Sequence, residues 1–109
     1  MSYNVHLTRA EHWTESMNNP ISLEEAKSCF DQRDNFEYTN MLSMKGPFGT
    51  MSLEGDFFYW SVEDFSVPFS YKEGRITVHR ADEFVIEKMI EISAALGARV
   101  QGDDGELYS

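Results

Sequence analysis

The sequence predicts an α+β fold, with a mostly antiparallel sheet of about five to seven strands and two helices packed on one face. Segments rich in strand-forming residues cluster in the middle of the chain and are separated by turn signals. Two segments with helical periodicity flank that cluster, one on each side. The chain has 109 residues, and single domains commonly hold about 100–150. We therefore assign residues 1–109 to one domain.

The N-terminal segment combines a strand with a loop. Residues 3–8 alternate with a period of two, which predicts a strand. Residues 11–20 are polar and end in an Asn-Asn-Pro turn signal, which predicts a loop. Trp13 and Met17 lie in this loop and are expected to pin it to the core. The strand is expected to bury one face, formed by Tyr3, Val5 and Leu7.

The first helix is predicted from Ser22 to about Gln32. Ser22 and Glu25 have the spacing of a capping box, in which each side chain accepts from the other residue's backbone N–H. The expected core face consists of Ala26, Cys29 and Phe30.

The middle of the chain is predicted to hold five strands, at residues 36–45, 50–54, 57–62, 67–71 and 75–79. Residues 46–49 form a turn, residues 55–56 interrupt the second and third strands, and residues 72–74 close a hairpin. Pro68 cannot donate to a ladder, so its strand is expected at an edge or with a bulge.

A second helix is predicted between an N-cap at Asp82 and a C-terminal Gly97. Its apolar stripe has a period of 3.6 residues and consists of Val85, Met89, Ile92 and Leu96, widened by Ile86 and Ile90. Residues 102–105 then predict a hairpin turn between short flanking segments.

The charge balance limits the possible partners. Nine Lys and Arg residues stand against 19 Asp and Glu residues, which gives a net charge of −10. Phosphate contacts need a basic surface, so direct binding to nucleic acid is disfavoured. A basic partner is favoured instead.

Cysteine use and hydropathy indicate the compartment. Cys29 is the only cysteine, which excludes an intrachain disulfide and multi-cysteine metal motifs. No basic N-terminal region leads into an apolar run, and the longest apolar run is far shorter than the ~20 residues of a membrane-spanning helix. We expect a cytoplasmic protein without membrane contact.

Three histidines, His6, His12 and His79, form the alternative candidate site. His6 and His79 occupy the outer face of two predicted strands and could converge with His12 near an acid if those strands were neighbours. The Gly-x-Ser-x-Gly, His-Glu-x-x-His and glycine-rich phosphate motifs are missing. We therefore expect a non-enzyme without metal or cofactor, and keep a small enzyme or ligand-binding domain as the alternative.

The preferred candidate site combines acids with aromatics. Glu54 and Asp56 precede the aromatic run at residues 57–60, and Glu63 and Asp64 follow it. Strand alternation could turn either Phe57 and Tyr59 or Phe58 and Trp60 away from the helices. Such aromatics among carboxylates would suit a protein interface, where aromatics anchor and charges steer. The alternative is that both alternating pairs of these aromatics are buried.

A second acidic group is predicted on the C-terminal helix. Glu83, Glu87 and Glu91 recur every four residues and form one stripe. Like charges at this spacing destabilise a helix by a few tenths of a kcal/mol, so the stripe is not explained by helix stability. It is either a further contact surface or a solvated face.

Both ends of the chain carry distinctive segments: residues 3–10, Trp13 and residues 19–25 near the start, and residues 74–78 and 95–108 near the end. Together they resemble a family of small acidic bacterial proteins, and the match covers roughly half of the chain. Ala26 departs from the pattern, since relatives often have Trp there, and residues 36–64 also differ.

Proteins of that family resemble the immunity partners of polymorphic toxin and contact-dependent growth inhibition systems. The resemblance implies a non-enzymatic protein that binds a cognate toxin domain 1:1 and masks its active site. With the negative charge, it favours a basic toxin such as a nuclease. The expected contact set is Glu54, Asp56, Trp60, Glu63 and Asp64, followed by Glu83, Glu87 and Glu91.

Overall fold

The computed structural model describes residues 4–63 and 65–108. Within that part, six strands form one antiparallel sheet in the order β2-β3-β4-β5-β1-β6. The strands are β1 (Asn4–Thr8), β2 (Phe36–Gly46), β3 (Gly49–Val62), β4 (Phe65–Lys72), β5 (Arg75–His79) and β6 (Arg99–Gly102). The helices are α1 (Leu23–Asp31), α2 (Glu83–Leu96) and a short 3-10 helix (Trp13–Asn18). The predicted α+β class with a mostly antiparallel sheet is confirmed.

Both long helices begin and end as their sequences predict. The Ser22 hydroxyl accepts from the backbone N–H of Glu25 at 3.1 Å, and the Glu25 carboxylate accepts from the Ser22 N–H at 3.4 Å. Asp82 caps α2 by accepting from the Val85 N–H at 3.0 Å. Gly97 follows α2 with φ +61°, a left-handed conformation that glycine adopts without steric cost.

The core lies between α1, α2 and one face of the sheet. The Phe30 ring of α1 lies 4.4 Å from the Phe58 ring of β3, measured between centroids. Alternate strand residues meet the apolar stripes of the two helices. The buried cluster contains Val5, Leu7, Ile21, Ala26, Phe30, Phe58, Trp60, Phe69, Ile76, Val78, Val85, Met89, Ile92, Leu96 and Val100. The opposite face of the sheet, here called the open face, carries His6 and Thr77.

Three local predictions are corrected. The strands predicted at residues 50–54 and 57–62 are one strand, because Gly55 continues the extended chain of β3. The predicted loop contains the 3-10 helix, and Met17 is 64% exposed, so it does not pin the loop. β4 lies between β3 and β5, so the strand that contains Pro68 is not an edge strand. β5 pairs only with Ser70 to Lys72 of β4, so Pro68 has no ladder partner on that side. Tyr3 lies outside the described residues.

The β2–β3 hairpin extends beyond the rest of the sheet. In the described part of the chain, β4 pairs with β3 only from Asp56 onward. The register shift between Thr39 and Met41 places Gly55 and Asp56 of β3 opposite Asn40 of β2, which is a bulge in β3 at the same level. Residues 41–53, which we call the hairpin arm, therefore project past the neighbouring strand. No described helix has the length and apolar character needed to cross a membrane.

Candidate functional site

A buried histidine occupies the middle of the open face. In the register of β1, His6 lies opposite Thr77 of β5 and Gln101 of β6. Its Nδ1 lies 2.9 Å from the Thr77 Oγ1, and its Nε2 lies 2.8 Å from the Asp103 Oδ1. His6 is only 3% exposed. We call His6, Thr77, Asp103 and Trp13 the His6 cluster.

The hydrogen bonds of the His6 cluster define the tautomer of the neutral ring. An ionised carboxylate can only accept, so Nε2 carries the proton and donates to Asp103. Nδ1 then accepts from the hydroxyl of Thr77. The order Thr77–His6–Asp103 is that of a hydroxyl–imidazole–carboxylate relay.

Trp13 covers the His6 ring. The two rings stack with centroids 4.1 Å apart and planes inclined by 12°. The indole Nε1 donates to the Asp103 carbonyl at 3.2 Å, and the Trp13 backbone N–H donates to the Gln101 side chain at 2.6 Å. The 3-10 helix is thereby attached to the β6 hairpin turn. Trp13 thus holds its loop in place, but it packs against the open face of the sheet and not against the core as predicted.

Burial and hydrogen bonding shift two pKa values in the His6 cluster. Burial lowers the pKa of His6 and outweighs the opposing hydrogen bond and charge of Asp103. Burial alone would raise the pKa of Asp103, but hydrogen bonds from His6 and the Asn4 backbone N–H outweigh it and lower that pKa. The folded protein therefore favours a neutral imidazole beside an ionised carboxylate.

A cleft of about 620 Å³ runs along the open face next to this cluster. His6, Thr77 and Asp103 line it, together with Arg75 and His79. The buried Nε of Arg75 has no hydrogen-bond partner within the described residues. The cleft thus contains an imidazole–carboxylate pair and a guanidinium with one unused donor.

The three histidines come together only in part. His79 lines the cleft, and its Nδ1 lies 2.8 Å from the Asn4 Oδ1. His12 stacks on Trp13 at a centroid distance of 5.8 Å, and its Nδ1 accepts from the Thr14 N–H, which caps the 3-10 helix. Among residues 4–63 and 65–108, no group of three or more His, Cys, Asp or Glu side chains could hold a metal ion.

The acids predicted before the aromatic run also reach the cleft. Glu54 is exposed and Asp56 is half-buried, and both line its wall. Asp56 accepts from the Tyr38 hydroxyl, and this hydrogen bond raises the pKa of Tyr38.

The structure does not provide an exposed anchor at Trp60. The Trp60 side chain is 6% exposed, and its ring stacks on Phe36 and Phe84 at centroid distances of 6.0 and 5.3 Å. The expectation that Trp60 is exposed is therefore wrong. Phe57 and Phe58 are buried as well, and Tyr59 is half-buried, which agrees with the alternative reading of the aromatic run.

The remaining predicted acids lie away from the cleft. Glu63 is exposed in the turn after β3 and shares a depression of about 540 Å³ with Glu91, Arg33 and Lys88. Arg33 and Lys88 each donate to Glu91 at 3.0 Å. The hydrogen bond from Lys88 is the larger of these effects and lowers the pKa of Glu91.

The stripe on α2 is exposed, and it belongs to the helical side of the sheet. Glu83 and Glu87 are exposed on this helix, as is Glu91. The acids are therefore distributed over two sides of the molecule and do not form one contiguous site. Asp64 lies outside the described residues.

Sequence reasoning does not predict two features of the structure. Asp103 was interpreted as a turn residue, although its carboxylate binds His6 across 97 positions of sequence. The shared outward parity of His6 and Thr77 was the available signal, but it required knowing that β1 and β5 pair. Phe48, at the tip of the hairpin arm, was interpreted only as part of a turn and is fully exposed.

Comparison of the chain with protein-family models, curated proteins and solved structures finds no match.

Proposed function

We propose that this protein is a cytoplasmic immunity protein that binds a cognate basic toxin domain 1:1 and masks the toxin's active site. The observation that carries the proposal is the exposure of the acids: Glu54, Glu63, Glu83 and Glu87 all have exposed side chains on the two sides of the molecule, so they attract a basic partner without all contacting it. These carboxylates are available to pair with the Lys and Arg groups through which a nuclease would bind phosphate.

Electrostatics give such a protein a kinetic advantage. A net charge of −10 attracts a basic partner before contact, and steering can raise association rates well above the ~10⁵–10⁶ M⁻¹s⁻¹ of neutral pairs. An immunity protein must capture its toxin before the toxin acts. The same mechanism needs no catalytic group, metal or cofactor in the binding protein.

The test is binding to the toxin domain encoded beside this gene. Co-expression should protect the cell, and the purified proteins should form a 1:1 complex. Glu63→Lys should weaken the complex without unfolding the protein, because Glu63 is exposed in a turn. Asp31→Lys is the matched control: it makes the same charge change at an exposed residue outside the expected contact set. Absence of both protection and complex would end the proposal.

The cleft supports a second candidate function, a small enzyme or ligand-binding domain. The specific observation is the Thr77–His6–Asp103 relay beside the unpartnered Nε of Arg75. Both ring nitrogens of His6 are engaged and Trp13 covers the ring, so a ligand would meet the half-buried Thr77 hydroxyl first.

This candidate predicts that small carboxylates or phosphates shift the NMR resonances of Thr77 and Arg75 during a titration. Thr77→Val should then abolish the shifts at Arg75, with a loss of about 1–3 kcal/mol in stability because the buried His6 Nδ1 loses its donor. Resonances that do not move at millimolar concentrations of either class would remove this candidate.

A further inference from the structure

The hairpin arm carries apolar side chains that the fold leaves in solvent. Phe48 at the tip is 103% exposed, Met51 is 65% exposed and Leu53 is 47% exposed. Met41 on the opposite strand is also 45% exposed, but it pairs with Glu54 and lies on the other face of the hairpin from Met51 and Leu53. Soluble proteins seldom place apolar residues together in solvent unless the patch serves an interaction. These residues do not hold the core together, since they project beyond β4.

Charge is distributed unevenly around the arm. Between residues 38 and 53 the sequence contains one charged residue, Lys45, and no acid. At the base of the arm, Glu54 and Asp56 follow directly, and Glu37 is exposed on β2. The arm is therefore an apolar element with carboxylates at its base. Protein interfaces have the same division into an apolar centre and a polar rim.

We propose that the hairpin arm is the part of this protein that holds the toxin once the two have met. Phe48 and Met51 enter an apolar depression on the toxin, and Lys or Arg groups beside that depression meet Glu54 and Asp56. This inference rests on the proposed function and adds a division of labour to it: the acids govern association, and the arm governs dissociation.

The side chains of the arm suit this role. Buried aromatics are common among the residues that dominate binding energy, and their truncation acts mainly on dissociation. Methionine is flexible and polarisable and adapts to irregular apolar surfaces. Charges at the rim of an interface act mainly on association and on its salt dependence.

The experiment measures association and dissociation rates with the toxin domain encoded beside this gene, held in a catalytically inactive form. Phe48→Ser and Met51→Ser are compared with Met17→Ser, a matched control that is 64% exposed on the 3-10 helix. Each arm variant should dissociate at least about fivefold faster, with association within about twofold of the wild type. Met17→Ser should match the wild type in both rates.

The double variant Glu54→Gln/Asp56→Asn provides the complementary measurement. Its association should be slower and less dependent on salt, with dissociation close to that of the wild type. Thermal melts of Phe48→Ser, Met51→Ser and Met17→Ser should match the wild type, because these side chains are exposed.

The possible failures are distinct. If the wild-type protein forms no complex, the proposed function fails. If the wild type binds but the arm variants dissociate at its rate, or if Met17→Ser weakens binding equally, only the role of the arm is overturned. A wild-type dimer in sedimentation that Phe48→Ser converts to monomer would show that the arm binds a second copy, which also overturns the proposal.

Discussion

Gly74 is a residue at which a single added methyl group should strongly disturb the fold. Gly74 has φ +76° in the turn between β4 and β5. A Cβ added there would lie 2.5 Å from the Pro20 Cβ and 2.9 Å from the Pro20 Cα. The Ile21 backbone N–H donates to the Gly74 carbonyl at 3.0 Å, so the chain between β1 and α1 packs directly on this turn.

The cost of Gly74→Ala has two parts. A left-handed conformation costs a residue with a Cβ about 1–2 kcal/mol. Overpacking against a backbone that cannot move freely adds about 1–3 kcal/mol. The sum is about 2–5 kcal/mol, a large share of the ~5–15 kcal/mol that stabilises a typical domain. At about 4 °C per kcal/mol, we expect the melting temperature to fall by roughly 8–20 °C.

Gly97→Ala separates the two parts. Gly97 has φ +61°, but a Cβ there would meet nothing within 4 Å. This variant should lose only the conformational part, about 1–2 kcal/mol. Calorimetry and urea unfolding of both variants provide the comparison. Equal losses for the two glycines would refute the claim that the chain packs tightly on the β4–β5 turn.

Three further substitutions test local interactions. Folding lowers the pKa of His6 from its usual 6.5, so the contribution of the neutral ring to stability is complete above that pH and is lost as the pH falls below it. In urea unfolding, His6→Gln should flatten the decline in stability between about pH 6.5 and 5. An unchanged slope would contradict the lowered pKa of His6. Tyr71→Phe removes a hydroxyl that donates to the Ile21 carbonyl at 2.7 Å, so the free energy of unfolding should fall by about 1 kcal/mol in the same assay. An unchanged free energy of unfolding would mean that water replaces this hydrogen bond. Glu73 and the glycine after it both have positive φ, as in the hairpin turn that prefers Asn-Gly, so Glu73→Asn should raise the melting temperature by a few degrees. A lower melting temperature would show that the ion pair between Glu73 and Arg75, at 3.1 Å, contributes more to stability than the turn conformation does.

The helices were predictable because their signals are local. A capping box at Ser22 and a C-terminal Gly97 act within a few residues, and the structure forms both. Gly55 was misread as an interruption for the opposite reason. Gly55 and Asp56 together lie opposite Asn40 of β2, so they form a bulge within one continuous strand, and only the pairing of the two strands distinguishes a bulge from a strand end.

The candidate site was only partly predictable because it depends on strand order. The sequence assigns outward parity to His6 correctly, but parity alone does not show that other elements bury the side chain. The 3-10 helix brings Trp13 over the ring, and the β6 turn brings Asp103 to its Nε2. Trp60 was likewise placed by alternation alone, and packing against Phe84 buries it.

The central claim is that negative charge on this protein captures a basic toxin domain. The most direct measurement is the association rate constant with the toxin encoded beside the gene, taken as a function of ionic strength. The account predicts a fall of about tenfold or more between roughly 0.01 M and 0.15 M salt, as the Debye length shrinks from about 30 Å to about 8 Å. An association rate that does not change with salt, or a toxin that does not bind, would contradict it.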